Sequence, residues 1–190
     1  MKKQFYFLIL FTTVLIVTSC CPEKKYYHIK DKDKLRFNEN DMLIYKSNLN
    51  NYDTLIIEEI IDDLDYYETS EGLCDTKFYI ERITYFYNNL NNLYDVEKRP
   101  RLYLWYDMSN EKSVFNASFY KPTSVLTTTV DIGDYYLGYN IYKNTICKRT
   151  YNNIDSLYIK KYVYNKENGF IFYEYTDGEQ FSLINYIPAK

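Results

Sequence analysis

The sequence predicts an all-β fold, an antiparallel sandwich or barrel-like meander, behind a signal peptide and a flexible tether. Three observations predict it. Short runs rich in Tyr, Phe, Ile and Thr recur along the chain, parted by clusters of Asn, Asp, Gly, Ser and Pro. The chain holds 25 tyrosines and 11 phenylalanines, and aromatic side chains suit a pleated, half-buried surface. The stretch LYIKKYVYNKENGFIFYEYTDGEQFSLINYI sets Asn168-Gly169 and Asp177-Gly178 between aromatic runs, and both dipeptides suit turns with positive φ.

The first element precedes the domain. Residues 5–17 form a mostly apolar run, preceded by Lys2 and Lys3 and followed by Thr18 and Ser19. As a helix this run covers about 20 Å, short of the roughly 30 Å of a hydrocarbon core. A basic start, an apolar middle and a small polar end are the layout of a secretory signal peptide. Val17-Thr18-Ser19-Cys20 resembles the lipobox of bacterial lipoproteins. The resemblance implies that residues 1–19 are removed and that Cys20 carries a diacylglycerol on its thiol and an acyl chain on its amino group. Two or more acyl chains make a stable membrane anchor where one is marginal. Cys21 is then a bystander.

Residues 20–34, with the polar stretch PEKKYYHIKDKDK at 22–34, read as a flexible tether of roughly 20 Å root-mean-square span. His28, the one histidine of the chain, is expected to be solvated there. Residues 35–190 form a single β-rich domain. Strands are expected at 42–46, 54–61, 75–87, 102–106, 114–120, 125–132 and 136–142. A three-stranded meander follows at 157–164, 170–175 and 180–186. In its middle strand, alternation puts Ile171, Tyr173 and Tyr175 on one face and Phe170, Phe172 and Glu174 on the other. Two stretches compete with this reading. Ile56, Ile57, Ile60, Ile61 and Leu64 sit at helical spacing, as do Ile80, Ile83, Tyr87 and Leu90. Helices near 57–94 would make the fold α+β.

Composition narrows the function. Without residues 1–19 the chain has 21 basic and 26 acidic side chains, a net charge of −5. That argues against nucleic acid as a partner. Metal and cofactor sites have no support: the chain has one histidine, no CxxC and no glycine-rich phosphate loop. Nor is there a GxSxG, SxxK or HExxH pattern, and no catalytic residue is assigned. Glu58-Glu59 and Asp62-Asp63 form an acidic cluster, but adjacent residues of a strand face opposite ways, and an exposed charged edge explains them. Cys74 and Cys147 are the cysteines of the domain body, and an exported chain permits a disulfide between them; two buried free thiols are the alternative.

Asp53-Thr54-Leu55 and Asp155-Ser156-Leu157 are similar to the acceptor sequence for O-glycosylation in the Bacteroidota, which would place glycans on Thr54 and Ser156. The short cysteine tether followed by aromatic strands with glycine turns resembles small uncharacterised outer-membrane lipoproteins of that phylum. The resemblance implies an outer-membrane location, held through lipid on Cys20, and brings no known activity. The expected function is a non-enzymatic module for a ligand or partner, such as a glycan or an envelope protein. A hydrolase using two carboxylates and an envelope immunity or inhibitor protein are the alternatives. Tyr103, Trp105 and their neighbours would support a sugar site if they formed one exposed face.

Overall fold

The structure is a computed structural model, and it describes residues 23–71, 74–90, 99–118, 126–151 and 158–190. Eleven strands among these residues join in one sheet. They are β1 (Glu23–Tyr27), β2 (Met42–Ser47), β3 (Tyr52–Glu71), β4 (Cys74–Asn89), β5 (Arg101–Asp107), β6 (Lys112–Ser118), β7 (Leu126–Leu137), β8 (Asn140–Tyr151), β9 (Ile159–Asn165), β10 (Gly169–Tyr175) and β11 (Gln180–Ile187). The sheet order is β6-β5-β4-β3-β2-β11-β10-β9-β8-β7, all antiparallel, with β1 added in parallel to β4. The fold is all-β, and the stretches at helical spacing are strands.

The order has a simple meaning. β2 to β11 run up and down in succession, and the first pairs with the last. Among the described residues, only a β6–β7 ladder is missing from a ten-stranded ring, so the sheet curls but does not close into a barrel. Curling brings its two halves face to face. The main core draws on Leu43 and Tyr45 of β2, Leu55 and Ile57 of β3, Leu102 and Leu104 of β5, and Phe170 and Tyr173 of β10. Across the interior, Tyr87 meets Phe170 edge-on at 5.4 Å, and Phe115 meets Tyr164 the same way at 5.4 Å. Most of the buried aromatics are thus core, and their offset and edge contacts are the favoured ring geometries.

Two bulges explain why the sequence resembled helix and why one face was misread. The β3–β4 register slips between Ile57 and Glu59. One extra residue restores the inward direction three positions on. Ile57 faces the core, and Ile60 packs against that core too. A spacing of three therefore arises inside a strand. A second slip, between Phe170 and Phe172, does the same in β10. Phe170 joins Tyr173 in the main core, while Ile171 and Phe172 enter a second cluster with Cys147 and Val163. Simple alternation had placed Ile171 with Tyr173.

The glycine turns stand where they were expected. Gly169 has φ +67° and Gly178 φ +94°, values that favour glycine. Residues 136–142, expected as one strand, are divided by a turn at Gly138 (φ +59°). The resulting β7–β8 hairpin lays Tyr135, Leu137 and Tyr142 over the second cluster.

Much of the stretch read as a tether is folded. Glu23–Tyr27 pairs with residues 76–80 of β4, and a 3-10 turn follows at Asp31–Asp33. Ile29, Leu35 and Phe37 are buried members of the main core. Regular pairing on an exposed β4 edge and three apolar side chains hold the segment down. The sequence hid this because its charged residues alternate with them.

Candidate functional site

The gap in the ring makes the most developed site. Below it, side chains stand in for the absent β6–β7 ladder. The Tyr162 hydroxyl donates to the Ala117 carbonyl at 3.2 Å, and Lys148 Nζ donates to the same oxygen at 3.2 Å. Asn116 Oδ1 accepts from Lys148 and, at 3.1 Å, from the Tyr164 hydroxyl. Burial raises the Tyr164 phenol well above its usual range, against its nearby hydrogen bonding, so it stays a neutral donor.

Above these contacts the seam opens into a cleft of about 660 Å³. Val114 and Phe115 of β6 and Ile132 and Ile146 of β7 and β8 supply its apolar lining. Lys112, Lys143 and Lys166 stand around it. Each lip has its own local support. The β5–β6 turn is held by Asp107, which accepts from Asn110 Nδ2 at 2.6 Å and the Ser109 N–H at 2.9 Å. The Asn110 bond foremost holds the Asp107 carboxyl below its ordinary range, against burial. The β9–β10 turn is tied to β8 by Asn165, whose Nδ2 donates to the Lys143 carbonyl at 3.0 Å. Asp33 of the N-terminal segment crosses between the lips. It accepts from Ser113 Oγ at 3.3 Å and lies 3.5 Å from Lys166 Nζ.

No family model, curated protein or solved structure matches the chain. The site therefore rests on its own chemistry. It offers an apolar surface inside a rim of mixed charge, with Lys112, Lys143 and Lys166 set against Asp107, which is engaged in a turn, Glu167, and Asp33, which pairs with Lys166.

The residues singled out from sequence fall elsewhere. Cys20 and Ser156 lie outside the described residues. Cys147 is a buried free thiol, raised above its usual range by burial; the side chain of Cys74 lies outside the described residues. Thr54 is half-buried on β3 between the buried Asp53 and Leu55. Tyr103 and Trp105 are half-buried, with rings inclined at 57°, so they do not make one flat exposed platform.

The acidic cluster departs from the expected arrangement. Because of the bulge, Glu58 and Glu59 do not point apart: both reach Arg99, at 2.6 and 3.3 Å. The Arg99 side chain is nearly buried and also lies over the Phe86 ring at 4.8 Å. Asp63 pairs with Arg82 at 3.5 Å. Among the described residues, no group of three or more His, Cys, Asp or Glu side chains is placed to hold a metal ion.

A second depression, of about 630 Å³, surrounds Glu81. Glu81 is buried and accepts from the Ile29 N–H at 2.9 Å, Lys34 Nζ at 2.8 Å and His28 Nδ1 at 3.0 Å. His28, though its ring is largely exposed, thus helps fix the N-terminal segment. These donors leave Glu81 a structural anchor. The cleft residues escaped the sequence reading because they come from three hairpins and share no spacing.

Proposed function

We propose that this chain is a lipid-anchored protein of the outer cell envelope. Its β domain binds a ligand in the seam cleft without transforming it. The observation that carries the reading is the cleft itself, with Val114, Phe115 and Ile146 inside and Lys112 and Lys143 at the mouth. Its volume is in the range of small-molecule sites, and an apolar wall with a few placed polar groups is their usual make-up. Lys166 is paired with Asp33, which leaves Lys112 and Lys143 at the mouth, beside Asp107 and Glu167, to meet an anionic group. The ligand class is a compact molecule with an apolar body and an anionic end.

A carboxylate hydrolase is the weaker reading. Glu58 and Glu59 both bond to one guanidinium, which suits a structural tie better than a pair of differently tuned acids.

Titration with anilinonaphthalene sulfonate, an apolar anion, tests the cleft. The folded protein is expected to bind it saturably at one site. Ile146→Trp, which fills the cleft, abolishes the signal, and Lys143→Glu weakens it. Equal binding by wild type and Ile146→Trp overturns the reading.

A further inference from the structure

The docking of the N-terminal segment has a consequence for the membrane anchor. β1 is parallel to β4, so Glu23 stands beside Thr76, close to the β3–β4 turn. Three peptide links separate Cys20 from Glu23. Fully extended, they reach about 11 Å. The segment cannot pay out more chain without breaking the β1–β4 pairing, unseating Ile29 and releasing Glu81 from its three donors. A lipid on Cys20 therefore lies near one particular part of the domain.

That part is an arm. β2 covers β3 only as far as Ile56, and β5 covers β4 only over residues 82–86. Beyond these limits β3 and β4 continue as a hairpin with β1 as its third strand. One of its faces is aromatic: Tyr26 stacks on Tyr79 at 4.8 Å and Tyr66 lies against Tyr79 at 5.5 Å, with Tyr26 and Tyr66 53% and 47% exposed. Lys25 and Lys77 are paired with Glu23 and Glu68, and the arm also carries Asp62, Asp63 and Asp65, so the aromatic side chains and not charge make the contact. Tyrosine is enriched where membrane meets water.

We propose that this arm lies against the headgroup layer of the bilayer that holds the Cys20 lipid, and that it fixes the orientation of the domain. The inference rests on the lipid-anchor reading above. β5 is antiparallel to β4, so Asp107 and the β5–β6 lip of the cleft lie at the arm end of the sheet. The cleft then opens towards the lipid surface, where molecules with an apolar body and an anionic end are concentrated. The β2–β3 turn, with Leu49, is at the opposite end.

The test uses full-length lipidated protein carrying Trp105→Phe, reconstituted in phosphatidylethanolamine–phosphatidylglycerol vesicles with brominated acyl chains. One variant adds Tyr66→Trp, the other Leu49→Trp. Both sites are exposed, so both variants are expected to fold. Tyr66→Trp emission shifts to the blue and is mostly lost to quenching, while Leu49→Trp emission is unchanged. If the protein floats with the vesicles and neither tryptophan is quenched, or both are equally, the arm placement is overturned and the anchor stands. If the protein carries no lipid mass and does not float, both fall.

Discussion

The Tyr173 hydroxyl donates a hydrogen bond to the Asp53 carboxylate in the buried interior, across 120 positions of sequence. The bond joins β10 to the start of β3, from opposite sides of the β2–β11 junction. Asp53 also accepts from Asn89 Nδ2 at 2.6 Å and the Thr54 N–H at 2.8 Å. Burial foremost, then Asp53, pushes the Tyr173 phenol well above its ordinary range, so it acts only as a donor.

Asp53→Ala is expected to destabilise the domain by about 2–4 kcal/mol, because it strands the Tyr173 and Asn89 donors in the core. Tyr173→Phe removes one donor and keeps the ring, and is expected to cost about 1–2 kcal/mol less. Urea denaturation midpoints check both. Similar midpoints for Asp53→Ala and wild type would show the network to be unimportant.

Intact mass of the protein from its native membrane checks the anchor. The mature chain is expected to begin at Cys20 with diacylglycerol and acyl additions, and Cys20→Ala to lack them. Sugar-sized increments that disappear with Thr54→Ala and Ser156→Ala would establish those two residues as acceptors.

The Glu81 cluster sets an acid limit on stability. Burial works to raise the Glu81 carboxyl, but Lys34, the Ile29 N–H and His28 outweigh it and hold it below its ordinary value. A carboxyl depressed on folding stabilises above its unfolded value, and that contribution is lost as pH falls through the folded value. Lys34 is raised, chiefly by its Glu81 hydrogen bond and against burial, so its share fades only as pH rises through its folded value. Wild type is therefore expected to exceed Glu81→Gln in urea midpoint near neutral pH, with the gap narrowing below about pH 4. A gap independent of pH contradicts this.

Two glycines give an internal comparison. At Gly169 a methyl group meets Tyr87 Oη at 3.2 Å and Phe37 Cζ at 3.3 Å, besides the positive φ. At Gly178 nothing lies within 4 Å, so only the backbone term acts. Gly178→Ala is expected to cost about 1 kcal/mol and Gly169→Ala clearly more. Thermal unfolding of the pair measures the difference, and equal losses would mean that the Phe37–Tyr87 packing yields freely.

Some of this was legible in the residues and some was not. The turns at Asn168-Gly169 and Asp177-Gly178, and the three strands around them, follow from local chemistry: glycine tolerates positive φ, and aromatic runs between two such turns pair with each other. The cleft was not legible, since Lys112, Lys143 and Lys166 belong to different hairpins. Nor was the Arg99 tie to Glu58 and Glu59, which depends on a bulge that no residue type announces.

The sequence by itself determined the β class, the glycine turns and the layout of the first twenty residues, because each depends on neighbours along the chain. Only the tertiary structure decided which side chains share a face. An inserted residue at Glu58 or Ile171 reverses every side chain beyond it, and its energy is repaid by partners on other strands: Ile60 against the core, and Phe170 against Tyr87. The same holds for residues 23–34. Their charges read as solvated until β4 offers an edge and the curled sheet offers Ile29 a place inside.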